Sequence, residues 1–490
     1  MSTAKCPSGI AGLDEILNGG WPAGCAYLVE GQPGVGKTTI AIQFLLEGVR
    51  RGEQCLYVTL SESRRELAIV AESHAWDLSR INIIEVSVLA KDNASVGATL
   101  FHPAEIELSQ LTKLVLNEVE RTRPSRVVLD SLSEYRLLSQ GPLRFRHEIL
   151  RLKQRLSEMN CTVLLLDDRH TNGSDGHVHS IVHGVLQLTF APLRYGIFRR
   201  SLCLTKLRGV KFREGNHDFV IGTGGLQVYP RLVAAEHHQP FEDECASSGN
   251  EDLDALLGGG LHYGTSNLLI GPAGTGKSTL AAMFAHAAAL RGERVNYYVF
   301  DETRATLLKR AAAMNIALAP HVASGALVLE QIDPAQTSPG ELAQHIRDAV
   351  DHEGTRVVVL DSLNGYVTAM PHEDDLHLQL HELLSYLNQQ GVMTVMILAQ
   401  YGLIGPMGTP IDVSYLADSV VITRYFEAHG SVRKAVTIIK KRSGTHESSL
   451  RELSVTTKGI SVGQPLTQFQ GILTGVPTFL GGNSSELGSL

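Results

Sequence analysis

The sequence predicts an α/β protein of two tandem domains, each a mostly parallel sheet flanked by helices. Two observations predict it. The chain repeats itself at a fixed offset, and each copy alternates short apolar runs with longer amphipathic stretches. At 490 residues it is long enough for two large domains, and 43% hydrophobic with 19% charged residues supplies ordinary globular cores.

The repeat is direct. Ser8-Gly9 returns as Ser248-Gly249, Leu13-Asp14 as Leu253-Asp254, Gly19-Gly20 as Gly259-Gly260 and Arg51-Gly52-Glu53 as Arg291-Gly292-Glu293, every pair 240 residues apart. Further on the offset drifts, to 231 for Asp130 and Asp361 and to 234 for Lys206 and Lys440, as loops change length between elements that hold. The first copy has strand candidates at Ala26–Glu30, Leu56–Leu60, Val127–Asp130 and Val163–Asp167. The second has them at Asn267–Ile270, Val295–Phe300, Val357–Asp361 and Thr394–Ala399. Helix-period segments such as Thr39–Arg50 and Phe145–Met159 lie between them, the spacing of a parallel sheet covered on both faces. These readings divide the chain into a first domain at 1–232, a polar linker at 233–247, a second domain at 248–464 and a tail at 465–490.

Charge and cysteine usage narrow the class. Residues 1–230 hold 26 Lys and Arg against 24 Asp and Glu; the rest holds 17 against 27. Neither half has the basic excess of a protein built to grip nucleic acid. No apolar run reaches membrane-spanning length, and the N-terminus lacks a secretory apolar region. Six cysteines without a C-x-x-C pair read as reduced thiols, so a cytoplasmic location is expected. The histidine groups His377/His381 and His177/His179/His183 have no ligand signature beyond spacing and are expected to be solvated rather than metal-bound.

Two segments carry the chemistry. Gly31-Gln32-Pro33-Gly34-Val35-Gly36-Lys37-Thr38, followed by Thr39, fits G-x-x-x-x-G-K-[ST] after a strand candidate. Gly271-Pro272-Ala273-Gly274-Thr275-Gly276-Lys277-Ser278, followed by Thr279, fits it again. Glycines let successive backbone N–H groups turn inward on phosphates, and the helix behind presents its positive end. ATP is the expected ligand, with Lys37 and Lys277 on its β- and γ-phosphates and Thr38 and Ser278 on Mg²⁺. Asp130 and Asp361 each close an apolar strand and continue as Asp-Ser-Leu, where a second-strand acid would complete the Mg²⁺ shell. Hydrolysis also needs a carboxylate by the attacking water. Glu62 is the candidate in the first copy, Asp301 and Glu302 in the second.

These residues, with the Ser-Gly-Ile-x-Gly-Leu-Asp opening at Ser8–Asp14 and its copy at Ser248–Asp254, resemble the KaiC family, the double-domain branch of RecA-like P-loop ATPases. The resemblance spans nearly the whole chain. It implies a hexameric double ring with ATP at subunit interfaces. It also implies that Lys206-Leu207-Arg208 and Lys440-Lys441-Arg442, with His446 behind the second, reach the nucleotide of the neighbouring subunit. In the second domain the family autophosphorylates adjacent Ser and Thr; the matching place here reads Asp412-Val413-Ser414-Tyr415, so Ser414 is the expected serine autokinase acceptor. Ser61 stands where the first copy would carry a second carboxylate, and Phe212 where the family has His after the first basic segment. Phe469-x-x-Ile472-x-x-Gly475-x-Pro477 resembles the C-terminal loop that a regulatory protein can pull from the second ring. The expected function is thus a KaiC-like ATPase and serine autokinase in signalling or clock-like regulation. Two alternatives stand beside it: a DNA-dependent recombinase or helicase motor, and a nucleotide-gated scaffold with little turnover. The first needs cationic channel loops, and residues 168–181 and 400–414 offer little positive charge.

Overall fold

The computed structural model describes residues 4–86, 108–139, 141–168, 176–192, 196–368, 373–402, 408–409, 411–428 and 430–480. The chain separates into two compact units, Met1–Arg231 and Leu232–Leu490. Each holds a nine-stranded sheet among its described residues, and together they are two tandem RecA-like domains.

In the first unit the sheet order is Gly225–Tyr229, Asn216–Gly222, Arg199–Leu207, Gly184–Ala191, Ala26–Gly31, Thr162–Asp168, Arg126–Asp130, Cys55–Thr59 and Asn82–Glu85. The strands from Gly184–Ala191 to Asn82–Glu85 pair in parallel; the three beyond Gly184–Ala191 are antiparallel. The second unit repeats this plan: Leu327–Gln331, Arg294–Val299, Thr355–Asp361, Met393–Gln400, Ser266–Pro272 and Ser419–Ala428 run parallel, then Ser431–Lys441, Arg451–Thr456 and Gly459–Pro465 continue antiparallel.

The central strands read as unbroken apolar runs because both sheet faces are covered. Val357, Val358, Val359 and Leu360 are all fully buried. Odd and even residues feed different cores: Val357 and Val359 face one cluster, Val358 and Leu360 the other. In the first unit Tyr57 and Val128 lie on one side, Leu56 and Val127 on the other. Helix Lys277–Leu290 is apolar almost all round, with Leu280, Ala281, Ala285 and Ala288 fully enclosed, so it acts as a core element behind its phosphate loop.

The stretch 233–247 is not free chain. Leu232 and Ala234 join a core cluster of the second unit, and Cys245–Ala246 pairs with Leu261–His262. At the C-terminus, Phe469–Gln470 pairs with Thr478–Phe479, and Ile472 is buried against Phe426 and Ala435 of the same unit. Residues 481–490 lie outside the described residues, as do Arg169, His170 and Asn172 of the first loop named above. His179 is not simply solvated: its Nε2 lies 2.7 Å from the buried Glu30 carboxylate. Among the described residues, no group of three or more His, Cys, Asp or Glu is placed to hold a metal, and no helix is long and apolar enough to cross a membrane.

Candidate nucleotide sites

Strand Ala26–Gly31 runs into the first glycine loop, and helix Lys37–Arg50 begins at its end. Gly36 sits at φ +117°, and a Cβ there would lie 2.8 Å from Ile221, so both backbone and space demand glycine. Gly276 takes φ +102° before helix Lys277–Leu290. Cβ atoms on Gly31 and Gly271 would strike the carbonyl oxygens of Leu188 and Thr423, and one on Gly274 the Tyr425 hydroxyl; Gly34 faces open space. Neither loop helix carries a side-chain cap, whereas helices Arg64–Ser73 and Pro339–Glu353 have full capping boxes. The first-turn N–H groups of these two helices are therefore left for an anion. Val35 and Thr275 face inward: Val35 is core, and Thr275 donates to the Pro272 carbonyl at 2.9 Å and meets Thr423 at 2.7 Å. Thr39 and Thr279 are buried on the helix faces behind the loops, Thr279 against Met314.

Each loop lysine folds back over its own loop. Lys37 Nζ donates to the carbonyls of Gly31 (2.9 Å) and Gln32 (3.0 Å) and pairs with Asp168 at 2.8 Å. Lys277 donates to the Pro272 carbonyl at 2.7 Å; burial pushes its ammonium down to about 8, against the opposing pull of Asp361. Asp168 is register partner to Gly31, and the matching partner of Gly271 is Ala399, so the second site lacks that anion.

Behind each lysine a hydroxyl meets a strand-end carboxylate. Thr38 Oγ1 is 3.4 Å from Asp130 Oδ2, and Ser278 Oγ is 3.1 Å from Asp361 Oδ1. Two hard oxygens about 3 Å apart suit neighbouring positions on a small octahedral cation, so these residues fit Mg²⁺. The carboxylates are also gripped from below by Tyr57 (2.5 Å) and Tyr297 (2.8 Å). Burial raises both carboxyls above their usual range, while those phenol hydrogen bonds oppose the rise. The tyrosines escaped the sequence reading, although they too stand 240 residues apart. Both the Asp130–Ser131 and Asp361–Ser362 peptide bonds are cis.

The water-side acids differ. Glu62 is half-buried after strand Cys55–Thr59, its backbone N–H bonded to Thr59 Oγ1 at 2.9 Å, and its buried Oε2 has no hydrogen-bond partner. Burial, and then the charge of Asp130, raise its carboxyl to about 7. In the second unit Asp301 accepts from Ser362, and Glu302 is ion-paired to Arg310.

The basic segments bond within their own unit. Lys206 donates to the carbonyls of His179 and Val182, and Arg208 to that of Ser180, closing the C-terminal end of the short helix Gly176–Ile181. Leu207 is buried in the core. Lys440 donates to the carbonyls of Ser414 (3.0 Å) and Ala417 (2.6 Å), and Arg442 bonds the Tyr415 carbonyl and Asp418. His446 is half-buried beside that segment's end. Ser414 is half-buried, and its hydroxyl donates to Asp412 at 2.7 Å.

Comparison with known proteins agrees with this architecture. The model of the family described as "ATPase: KaiC" matches residues 6–233 and again 246–467. The chain is 27% identical over 482 residues to "Circadian clock protein KaiC3" of Synechocystis sp. (strain ATCC 27184 / PCC 6803 / Kazusa), covering 97% of this chain and 95% of that protein. It is 26% identical over 483 residues to "Circadian clock oscillator protein KaiC" of Parasynechococcus marenigrum (strain WH8102), covering 97% and 94%. It is likewise 26% identical over 489 residues to the protein of the same description from Synechococcus elongatus (strain ATCC 33912 / PCC 7942 / FACHB-805), covering 98% and 92%. With duplicated phosphate loops, duplicated hydroxyl–carboxylate pairs and a family match in each half, the chain belongs to the KaiC family of ATPases.

Proposed function

We propose that both units bind Mg·ATP, that both hydrolyse it, and that the second also transfers phosphate to Ser414 of a neighbouring subunit in a hexameric double ring. The single observation carrying this reading is the hydroxyl–carboxylate pair behind each loop lysine, Thr38 with Asp130 and Ser278 with Asp361. Mg²⁺ would be held by Thr38 and Asp130 in the first site and by Ser278 and Asp361 in the second, and would supply positive charge against that developing on the phosphates. The chain's own residues do the rest. Uncapped helix N-termini and the lysines hold the phosphates, and Tyr57 and Tyr297 fix the strand-end carboxylates. Glu62 accepts a proton from the attacking water in the first site, and Asp301 with Glu302 act in the second.

The ring rests on the family resemblance, which assigns Lys206, Leu207, Arg208, Lys440, Arg442 and His446 to a nucleotide held by the neighbouring subunit. The role is signalling or clock-like regulation, with the hairpin around Ile472 as the handle for a regulatory protein. A second reading, a nucleotide-gated scaffold, draws support from one feature. Lys37 is engaged by Asp168 and Glu302 by Arg310, so charged groups of both sites have partners within the protein.

Phosphate release and phosphopeptide mass spectrometry after incubation with Mg·ATP separate these readings. Steady release with label on Ser414 supports the ATPase-autokinase. Nucleotide retained without turnover supports the scaffold. Stimulation by single-stranded DNA would favour the motor instead.

A further inference from the structure

Cys245, His262 and Asp243 form a chain of hydrogen-bonding groups on the second unit, set apart from the phosphate loop. Cys245 Sγ lies 3.2 Å from His262 Nε2, and His262 Nδ1 lies 2.9 Å from Asp243 Oδ1. Cys245 and His262 are register partners in the two-stranded ladder Cys245–Ala246 with Leu261–His262, so the backbone fixes their approach. His262 is further anchored where Thr265 donates to its carbonyl at 2.6 Å. Its side chain is 16% exposed while Cys245 is exposed, which leaves the sulfur open to small reagents and the imidazole held.

The fold does not require this trio. The corresponding ladder of the first unit pairs Lys5 with Pro22 at those positions. Nor is a surface cluster of this kind a stability device, since exposed polar pairs contribute little. What the arrangement does supply is a nucleophile, a base within hydrogen-bond reach and a third group that orients the base. Asp243 accepts from Nδ1–H, so Nε2 carries the lone pair that faces the thiol.

We propose that Cys245 is a reactive thiol, activated by His262 and Asp243, that is oxidised by hydroperoxides to the sulfenic acid. His262 takes the thiol proton. The thiolate sulfur attacks one peroxide oxygen, the S–O bond forms as the O–O bond breaks, and the imidazolium returns its proton to the departing oxygen. Sulfur is oxidised by two electrons and the peroxide reduced by two, giving sulfenic acid and water or an alcohol.

The other five cysteines belong to the first unit. Cys6, Cys55 and Cys161 are buried, and burial pushes the Cys161 thiol up to about 11, that of Cys55 to about 12, and that of Cys203 upward. These thiols are less reactive for the same physical reason.

The test exposes the full-length protein to hydrogen peroxide at pH 7, traps sulfenic acid with a 1,3-diketone probe and follows each cysteine peptide by mass spectrometry. Cys245 is expected to label first, about threefold to tenfold faster than a synthetic peptide spanning residues 242–250. His262→Gln and His262→Ala should each return the rate to that of the peptide, with Asp243→Asn intermediate. Alkylation by iodoacetamide at the same pH gives an independent reading without an oxidant, and Cys245 should lead there too. A Cys245 rate equal to the peptide's, or unchanged in a folded His262→Gln protein, would overturn the proposal.

Discussion

Arg310 holds Glu302 in an ion pair, while Glu62, its counterpart 240 residues earlier, keeps a buried carboxylate oxygen without a partner. The helix residue at Arg310's position in the first unit is Val70. One substitution on the helix behind the water-side acid therefore gives the two sites different electrostatics.

Glu62→Gln is expected to slow hydrolysis by the first unit by about 10²-fold or more, because an amide cannot accept the water's proton. The same change should stabilise the unit by about 1–2 kcal/mol above pH 7, less than the full shift because the group is partly solvated. The sign follows from Glu62's carboxyl being raised from 4.5 to about 7. The native state binds the proton more tightly, so parent stability falls as pH rises through that window. The gap between parent and variant should close below about pH 4.5. Phosphate release and melting curves against pH, both in a Lys277→Ala background, check the two effects; a slower but less stable variant would contradict the assignment.

The matching pH profile is a separate expectation. With Glu62 the base, hydrolysis by the first unit should fall as pH drops through about 7, since the carboxylate is protonated there. The same Lys277→Ala background isolates that unit, and a flat profile from pH 6 to 8 would remove Glu62 from the role.

Arg310→Ala frees the Glu302 oxygen that the guanidinium now occupies. Turnover by the second unit should rise about threefold to tenfold, at a stability cost of about 0.5–1 kcal/mol for a partly exposed pair. Lys37→Ala protein reports the second unit alone. A fall in turnover would mean that Arg310 positions Glu302 productively.

Asp168→Asn releases Lys37 from a 2.8 Å ion pair and removes an anion beside the phosphate loop. ATP affinity at the first site should rise about tenfold, read by nucleotide titration of the Lys277→Ala protein. The second site, with Ala399 in that place, supplies the internal comparison.

Much of this was legible in the sequence, and the reasons are physical. Parallel strands buried on both faces leave apolar runs, so every strand candidate overlaps an observed strand, Val357–Asp361 against Thr355–Asp361 among them with a shared end. The antiparallel extension was not legible: strands such as Asn216–Gly222 and Arg451–Thr456 are half-exposed and polar, and their pattern is set by partners rather than by period. The glycine loops and their lysines follow from local chain chemistry. Asp168 on Lys37 depends on elements brought together only by folding, across 131 residues, whereas Arg310 meets Glu302 across eight residues where the chain turns into helix Arg304–Ala313.

Ser414 presents a hydroxyl already donated to Asp412, a local acceptor for its proton. Mixing a Ser414→Ala subunit that keeps Glu302 with a Glu302→Gln subunit that keeps Ser414 should place label on the second, through transfer between neighbours. Tyr415, whose phenol oxygen lies further from the backbone, should stay unlabelled. No phosphopeptide containing Ser414 in any mixture would leave the protein an ATPase without autokinase activity.

Nucleotide stoichiometry tests the central claim, that each unit carries its own ATP site, most directly. Native mass measurement after Mg·ATP loading should give two nucleotides per chain for the parent, one each for Lys37→Ala and Lys277→Ala, and none for the double variant. Two nucleotides per chain retained in both single variants, or one in the parent, would contradict it.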